Sequence, residues 1–139
     1  MRVDSVKNGI VIDHIANGKA MQIYKLLSLS KLDCPVAILT NVPSKKMGKK
    51  DIIKIDSDIE INLEVLGFVS PSITVDIIKD GKVFEKKHIE LPEQVTDLLI
   101  CKNPRCITST EQGIRHIFKL TDKEKGLYRC IYCETKAEF

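Results

Sequence analysis

The stretch SITVDIIKDGKVFEKKHI, residues 72–89, decides how the first part of the chain folds. Residues 72–79, which are rich in β-branched side chains, and residues 82–89 flank the pair Asp80-Gly81. Aspartate followed by glycine suits the positive φ angles that a tight two-residue hairpin turn requires. The stretch therefore predicts a β-hairpin and, with it, an antiparallel sheet.

Upstream of this hairpin the pattern changes between strand and helix. Residues 9–15 (GIVIDHI) are typical of a strand, and residues 19–29 carry apolar side chains at helical spacing. Two further strands are predicted at 36–39 and 51–55, separated by a polar, lysine-rich loop at 41–50.

Residues 59–68 fit two interpretations. Ile59, Ile61, Leu63 and Val65 alternate as in a strand, whereas Ile59, Leu63 and Leu66 fit one face of a helix. Periodicity favours the strand, but the order of the surrounding elements favours the helix, which is our prediction.

The resulting order of elements, strand-helix-strand-strand-helix-strand with one added strand, is typical of a split βαβ unit. We therefore predict an α+β fold that begins with a ferredoxin-like sandwich, an antiparallel sheet with helices on one face. Leu91-Pro92-Glu93 marks a boundary because proline ends the preceding strand. The predicted domains are residues 1–91 and a small, β-rich domain at 92–139.

Four of the five cysteines lie in the second domain with a regular spacing. Cys101 and Cys106 form a Cys-x4-Cys pair, and Cys130 and Cys133 form a Cys-x2-Cys pair after a hairpin-sized insert. Two close pairs of this kind are typical of a tetrahedral zinc site. A site with four sulfur ligands leaves no position for a catalytic water, so we predict one structural Zn²⁺ per chain.

Two other readings of the cysteines remain open. An iron–sulfur cluster is the chemical alternative, although its usual spacings differ. The second alternative is that the four thiols bind no metal and are simply part of an apolar core. The fifth cysteine, Cys34, precedes a proline far from the tetrad, and we interpret it as a buried thiol.

The composition limits the classes of protein to which this chain can belong. The chain has 139 residues with 22 basic and 19 acidic side chains, a net charge of +3 that is spread over both halves. This balance counts against nucleic-acid binding.

We see neither a signal peptide nor an apolar run of membrane-spanning length, so a cytoplasmic protein with no membrane partner is expected. Disulfides are rare in that compartment, which favours metal binding by the cysteines.

We find no arrangement of residues typical of catalysis. His14, His88 and His116 are scattered over different elements, and neither a nucleophile elbow nor a phosphate-binding P-loop is present. Asp13-His14 at a strand end is more typical of a surface or ligand-contact pair than of a catalytic dyad. We therefore expect a binding protein that is not itself an enzyme.

The lysines point to different roles. Lys45, Lys46, Lys49 and Lys50 form a cluster that we interpret as a solvated surface. Lys54 lies within an apolar strand, and Lys86 lies on the second strand of the predicted hairpin, after its turn. If those strands are neighbours, the two ammonium groups would converge and would suit a triphosphate.

Taken together, these motifs resemble the regulatory chain of aspartate carbamoyltransferase over nearly the whole length. The resemblance is carried by GIVIDHI at 9–15, KLLSL at 25–29, NVPSKKMGKKDIIKI at 41–55 and LPE at 91–93. The cysteine tetrad follows these stretches in the same order. The combination is far more specific than the tetrad alone.

The resemblance implies a non-catalytic regulatory subunit in pyrimidine biosynthesis, with an allosteric domain that binds CTP and ATP and a zinc domain that contacts the catalytic chain. It implies homodimers of regulatory chains that bridge catalytic trimers in a heterododecamer. It also implies effector contacts from the side chains of Asp13, His14, Lys54 and Lys86, and from the backbone near Val6, Ile78 and Val83.

A zinc-ribbon nucleic-acid-binding protein is the alternative function. Its contacts would come from the basic residues of the second domain, Lys102, Arg105, Arg115 and Lys119. Only 5% of the residues are aromatic, so platforms for base stacking are scarce. We therefore expect no nucleic-acid partner.

Overall fold

A five-stranded antiparallel sheet organises the first of two units, which meet in the chain between Glu90 and Leu91. The computed structural model describes residues 3–138. The elements of the first unit are β1 Gly9–Ala16, α1 Ala20–Leu26, a 3-10 turn Leu29–Lys31, β2 Val36–Ser44, β3 Gly48–Ile55, α2 Leu63–Val69, β4 Thr74–Lys79 and β5 Lys82–His88. The strand order is β2-β3-β1-β4-β5, which confirms the predicted α+β class and split βαβ order.

Both helices pack on one face of this sheet. Side chains alternate between the two faces of a strand, so Ile12, Ile53 and Val75 point to the same side from three strands. They are buried there with Ile23 of α1 and Leu66 of α2. Within the described part of the first unit the opposite face carries no helix, and Asp13, Lys54 and Lys86 lie on it.

Three local predictions differ from the structure. The loop predicted at 41–50 is wrong, because β2 and β3 pair through Val42↔Lys50 and Ser44↔Gly48 and leave only a short turn. Helix α1 is shorter than predicted, since Ser28 adopts a left-handed conformation with φ of 53°. The helix predicted at 59–68 begins only at Leu63, where the side chain of Asn62 accepts a hydrogen bond from the Glu64 N–H at 3.0 Å.

Asp51 on β3 is a fully buried carboxylate that holds several backbone segments together. Its Oδ2 accepts hydrogen bonds from the N–H groups of Gly18 at 2.9 Å and Ala20 at 3.2 Å. Its Oδ1 accepts from the Asn17 side chain at 3.0 Å and from the Asn41 N–H at 3.3 Å. Helix α1 has no side-chain cap from its own N-cap residue, so Asp51 supplies this function from a distant strand.

A β-bulge lies on each side of Asp51. The register between β1 and β3 shifts between Ile12 and Ile15, and the register between β2 and β3 shifts between Leu39 and Val42. Within these bulges His14 and Asn41 have φ angles of 57° and 60°. The bulges let Asp51 reach the start of α1, and they turn His14 out of the regular strand alternation.

The second unit is small and β-rich, as predicted. It contains β6 Gln94–Thr96, a helical turn α3 Ile107–Thr110, β7 Ile117–Asp122 and β8 Leu127–Cys130. The strands form one antiparallel sheet in the order β6-β7-β8, with Val95, Phe118 and Tyr128 buried. Burial raises the pKa of Tyr128 to about 12, and its hydroxyl donates to the carbonyl of Pro92 at 2.5 Å.

Between Val3 and Glu138, the helices are all too short or too polar to cross a membrane.

We expect Asp51→Ala to destabilise the first unit by about 3 kcal/mol, because buried N–H groups lose their acceptor. Asp56→Ala, at an exposed position just after the same strand, is the matched control and should change stability by less than about 0.5 kcal/mol. The free energy of unfolding can be measured from native-state exchange of the slowest amides in β1 and β3. Equal protection in the two variants would contradict the assigned role of Asp51.

Candidate functional sites: a cysteine tetrad and a cationic pocket

The sulfur atoms of Cys101, Cys106, Cys130 and Cys133 lie within 4.8 Å of one another. The shortest separations are 3.5 Å between Cys101 and Cys133 and 3.7 Å between Cys106 and Cys130. Four thiolates at tetrahedral corners around an ion with Zn–S bonds of 2.3 Å would be about 3.8 Å apart. The tetrad could therefore hold one metal ion with little rearrangement.

Two backbone turns place the sulfurs. The Cys106 N–H donates to the carbonyl of Asn103 at 3.0 Å, which closes the turn between the first two cysteines. Cys130 ends β8, and the Glu134 N–H donates back to its carbonyl at 2.9 Å. Glu134 has a φ of 63°, so the chain turns sharply directly after Cys133. Each cysteine pair is thus held by a local turn.

Hydroxyl groups contact two of the sulfurs, and an imidazole contacts the backbone of a third cysteine. The Thr108 hydroxyl donates to the Cys106 Sγ at 3.1 Å, and the Thr135 hydroxyl lies 3.1 Å from the Cys133 Sγ. The Cys101 N–H donates to Nδ1 of His116 at 3.1 Å, so this imidazole braces the loop that carries Cys101. Such contacts orient metal ligands before the ion arrives.

The thiols differ in how easily they ionise. Burial raises the pKa of Cys101 to about 12. Burial also opposes ionisation of Cys133, but hydrogen bonds from the hydroxyl and N–H of Thr135, with smaller contributions from Asn103 and Cys101, outweigh it and lower the pKa of Cys133 to about 6. Metal binding to such a set releases protons, because each ligand must become a thiolate.

A second candidate site lies on the helix-free face of the first unit. A pocket of about 270 Å³ is lined by two lysines, two histidines, two hydroxyl side chains and a methionine: His14, Lys46, Met47, Ser72, Thr74, Lys86 and His88. None of these described lining residues is acidic. The pocket therefore has the donors and the charge that suit an anion.

The bulge at His14 positions part of this pocket. The Ser72 hydroxyl donates to the carbonyl of His14 at 2.8 Å, and Nδ1 of His14 lies 2.9 Å from the Thr74 hydroxyl. The register pairs Asp13 with Thr74 and Thr74 with His88, so these three side chains share the helix-free face. The imidazole of His14 is thereby fixed beside the hydroxyl that borders the pocket.

The carboxylate of Asp13 forms an ion pair with Lys50 and accepts a hydrogen bond from the backbone of His14. Lys50 Nζ lies 2.9 Å from its Oδ1, and the His14 N–H donates to the same oxygen at 2.6 Å. Burial works to raise the pKa of Asp13, but the hydrogen bonds and charges of Lys50 and His14 outweigh it and hold the pKa below its usual value of 3.8. The carboxylate stays ionised, and its charge is compensated by Lys50.

The register places Lys54 and Lys86 on the same face but not on neighbouring strands. Val11 pairs with both Lys54 and Asp76, and Asp76 pairs with Lys86. Three strand spacings separate the two lysines, about 14 Å between their backbones. The condition that their strands be neighbours is therefore not met, and only Lys86 lines the pocket.

Val6, Ile78 and Val83 lie toward the other end of this face. Gly9 pairs with Ile78, Ile78 pairs with Val83, and the Gly81 N–H donates to the carbonyl of Lys7 at 2.8 Å. The segment before β1 is thus bound to the β4–β5 turn. Val6 and Ile78 are buried, whereas Val83 is 58% exposed, so this end of the face is apolar.

The sequence analysis missed five residues that line the pocket: Lys46, Met47, Ser72, Thr74 and His88. The one available signal was the spacing of Lys86 and His88, because residues two apart on a strand share a face. Lys46 is exposed, as the solvated-surface interpretation expects, yet the short β2–β3 turn also brings it to the pocket.

We predict that Lys50→Met raises the pKa of Asp13, because burial then acts without the compensating ammonium group. Lys49→Met removes an exposed ammonium group from the adjacent position and should leave this pKa unchanged. Titration of the carboxyl carbon by NMR measures both. Identical Asp13 pKa values in the two variants would contradict the assignment.

The dependence of stability on pH that follows from the lowered pKa of Asp13 is also testable. Because the folded-state pKa is lowered, the stability that Asp13 contributes is complete above its unfolded pKa of about 3.9. This contribution is lost as the pH falls through the folded-state value.

Comparison with known proteins covers both units of the chain. Residues 1–90 match the family model described as aspartate carbamoyltransferase regulatory chain, allosteric domain, and residues 93–139 match its metal binding domain. A relative named aspartate carbamoyltransferase regulatory chain in Clostridium tetani is 50% identical over 135 residues, covering 96% of this chain and 94% of the relative. One from Bifidobacterium longum is 43% identical over 138 residues, covering 99% of each chain. The chain therefore belongs to the aspartate carbamoyltransferase regulatory chain family, as a non-catalytic subunit with an allosteric and a metal-binding domain.

Proposed function

We propose that this chain binds CTP and ATP at one effector site and passes the effect of binding to the catalytic chain of aspartate carbamoyltransferase, so that it controls pyrimidine biosynthesis. The observation that best supports an effector site is the pocket lined by His14, Lys46, Lys86 and His88. Family membership favours this function over nucleic-acid binding.

The chemistry of the helix-free face suits a nucleoside triphosphate. Lysine ammonium groups act on phosphates as point charges, and imidazole and hydroxyl groups add hydrogen-bond donors. The triphosphate would occupy the pocket beside Lys86, with His14 next to it. The base would pack at the apolar end near Val6, Ile78 and Val83, where backbone groups can read its edge. Lys54 would then border the middle of the ligand, and Asp13, which pairs with Thr74, would lie toward the pocket.

We infer that the metal in the tetrad is zinc and that its role is structural. The sulfur separations suit a tetrahedral ion of this size, and four sulfur ligands close the coordination sphere. The site needs reduced thiols, which fits a cytoplasmic protein. Cys101, Cys106, Cys130 and Cys133 would each supply one ligand, giving one Zn²⁺ per chain.

The allosteric effect follows from linkage. A nucleotide shifts the equilibrium between two assembly states only by the difference in its affinity for them. An ordered interface can adopt two discrete packings, whereas a disordered one cannot. The zinc-bearing unit would provide such an interface to the catalytic chain, and homodimers of regulatory chains would bridge catalytic trimers in a heterododecamer.

Calorimetric titration of the zinc-loaded chain tests the effector site. We expect CTP and ATP to bind competitively, and Lys86→Ala to weaken both by about 10-fold or more, because a charged hydrogen bond to phosphate is lost. Lys82→Ala, on the same strand but outside the pocket, is the control and should leave both affinities unchanged. Unchanged affinity for both nucleotides in Lys86→Ala would remove this residue from the site.

Metal removal tests the second unit. Because the binding energy of a structural metal is also folding energy, complete chelation should separate the regulatory chain from the catalytic chain. Sedimentation of the assembled enzyme before chelation, after it, and after return of Zn²⁺ measures this. An assembly that stays intact without metal would refute the role proposed for zinc.

A further inference from the structure

The sequence contains two Asn-Gly pairs, Asn8-Gly9 and Asn17-Gly18. Glycine has no side chain to shield its backbone nitrogen, so this nitrogen can attack the side-chain carbonyl carbon of the preceding asparagine. The attack forms a five-membered imide, and the side-chain nitrogen leaves as ammonia. Water then opens the ring at either carbonyl, which gives aspartate or isoaspartate. Both pairs are therefore chemically able to deamidate.

The fold engages both reacting nitrogens of Asn17-Gly18. The Gly18 N–H, which must lose its proton to attack, donates to Asp51 Oδ2 at 2.9 Å. The leaving nitrogen, Nδ2 of Asn17, donates to Asp51 Oδ1 at 3.0 Å and to Asn41 Oδ1 at 2.9 Å. The negative charge of Asp51 also opposes deprotonation of the Gly18 nitrogen. Ring closure therefore requires that Asp51 first release both nitrogens.

The backbone around this pair is held as well. The Lys19 N–H donates to the carbonyl of Ala16 at 3.0 Å, which closes a turn with Asn17 and Gly18 at its centre. Gly18 has a φ of 91°, as the third residue of a type II turn requires. The turn rests on Asp51, which is fully buried, so the pair can rearrange only when the turn opens.

Asn8-Gly9 is the same dipeptide in a different setting. The side chain of Asn8 is exposed, and its Oδ1 accepts a hydrogen bond from the Asp80 N–H at 3.1 Å. Its leaving nitrogen, Nδ2, has no hydrogen-bond partner among residues 3–138, and Asp51 does not contact it. Asn8 is therefore an internal reference for the effect of Asp51 on Asn17.

Deamidation of Asn17 would damage the arrangement that prevents it. A carboxylate oxygen would replace a donor at a point only 3.0 Å from Asp51 Oδ1. Two carboxylates so close repel each other, and neither has a proton to donate. Isoaspartate would also add a carbon to the main chain before Gly18, which would displace the N–H groups that Asp51 now accepts.

We propose that Asn17-Gly18 is a deamidation site controlled by Asp51. The closed turn keeps the pair unreactive, and each opening exposes it to a reaction whose product stops the turn from closing again. The modification would permanently mark chains whose first unit has opened, and so limit the lifetime of that unit. This inference concerns the structural role of Asp51 and does not depend on the effector site.

Peptide mass spectrometry of the full, zinc-loaded chain tests the control, after incubation at mildly alkaline pH with and without urea. In urea we expect Asn8 and Asn17 to deamidate at similar rates, because both are followed by glycine in an unfolded chain. In the folded chain Asn17 should react at least about 10-fold more slowly than in urea, because only the open turn reacts.

Asp51→Asn tests the residue responsible, since it keeps the size of the side chain but only one acceptor oxygen. We expect it to accelerate deamidation of Asn17 in the folded chain by about 10-fold and to leave Asn8 unchanged. Asp56→Asn, at an exposed carboxylate, is the matched control and should change neither rate.

Asn17→Asp tests the consequence, because it places the aspartate product directly in the chain. The slowest amides of β1 and β3 should then exchange with solvent about 10-fold faster or more, as buried donors lose a partner and like charges meet. Asn8→Asp keeps an acceptor for the Asp80 N–H and should leave this exchange unchanged.

Three results would overturn the proposal. Asn17 that reacts as fast in the folded chain as in urea would show that the turn gives no protection. Equal acceleration of Asn8 and Asn17 in Asp51→Asn would assign the reaction to unfolding of the whole unit. Wild-type amide exchange in Asn17→Asp would show that the modification does not prevent closure.

Discussion

The buried carboxylate of Asp51 is the constraint on which the first unit depends. A charge inside a protein is tolerated only when hydrogen bonds replace its lost water, and here four donors do so. They come from the turn before α1, from the first residue of α1 and from β2, so segments distant in sequence meet at one carboxylate. Asp51 thereby fixes where the helix begins and how β3 sits between its two neighbours.

The same arrangement shapes the candidate effector site. The bulge in β1 beside Asp51 gives His14 its left-handed φ and sets its imidazole against Thr74. Lys50, adjacent to Asp51, compensates the charge of Asp13. A structural requirement of the core thus organises polar groups on the opposite face. Asp51 and Asp13 are the same residue type, and the donors available to each decide its role.

The second unit depends on a different interaction. Its largest fully buried side chains are few, namely Val95, Phe118 and Tyr128 among the described residues, so its core alone supplies little stability. A metal bound by the cysteine tetrad would compensate, because it would join the loop before α3 to the end of β8. The order of this unit would then depend on metal binding.

Local spacing in the sequence determined the hairpin at Asp80-Gly81, the order of strands and helices, and the two cysteine pairs. These features follow from the backbone geometry of neighbouring residues, which a sequence shows directly. The tertiary structure alone decided that Asp51 caps α1, that Lys46 and His88 meet at one pocket, and that Asp76 lies in one row with Lys54 and Lys86. Those contacts depend on register and bulges between distant strands, and a shift of one residue would turn each side chain to the other face.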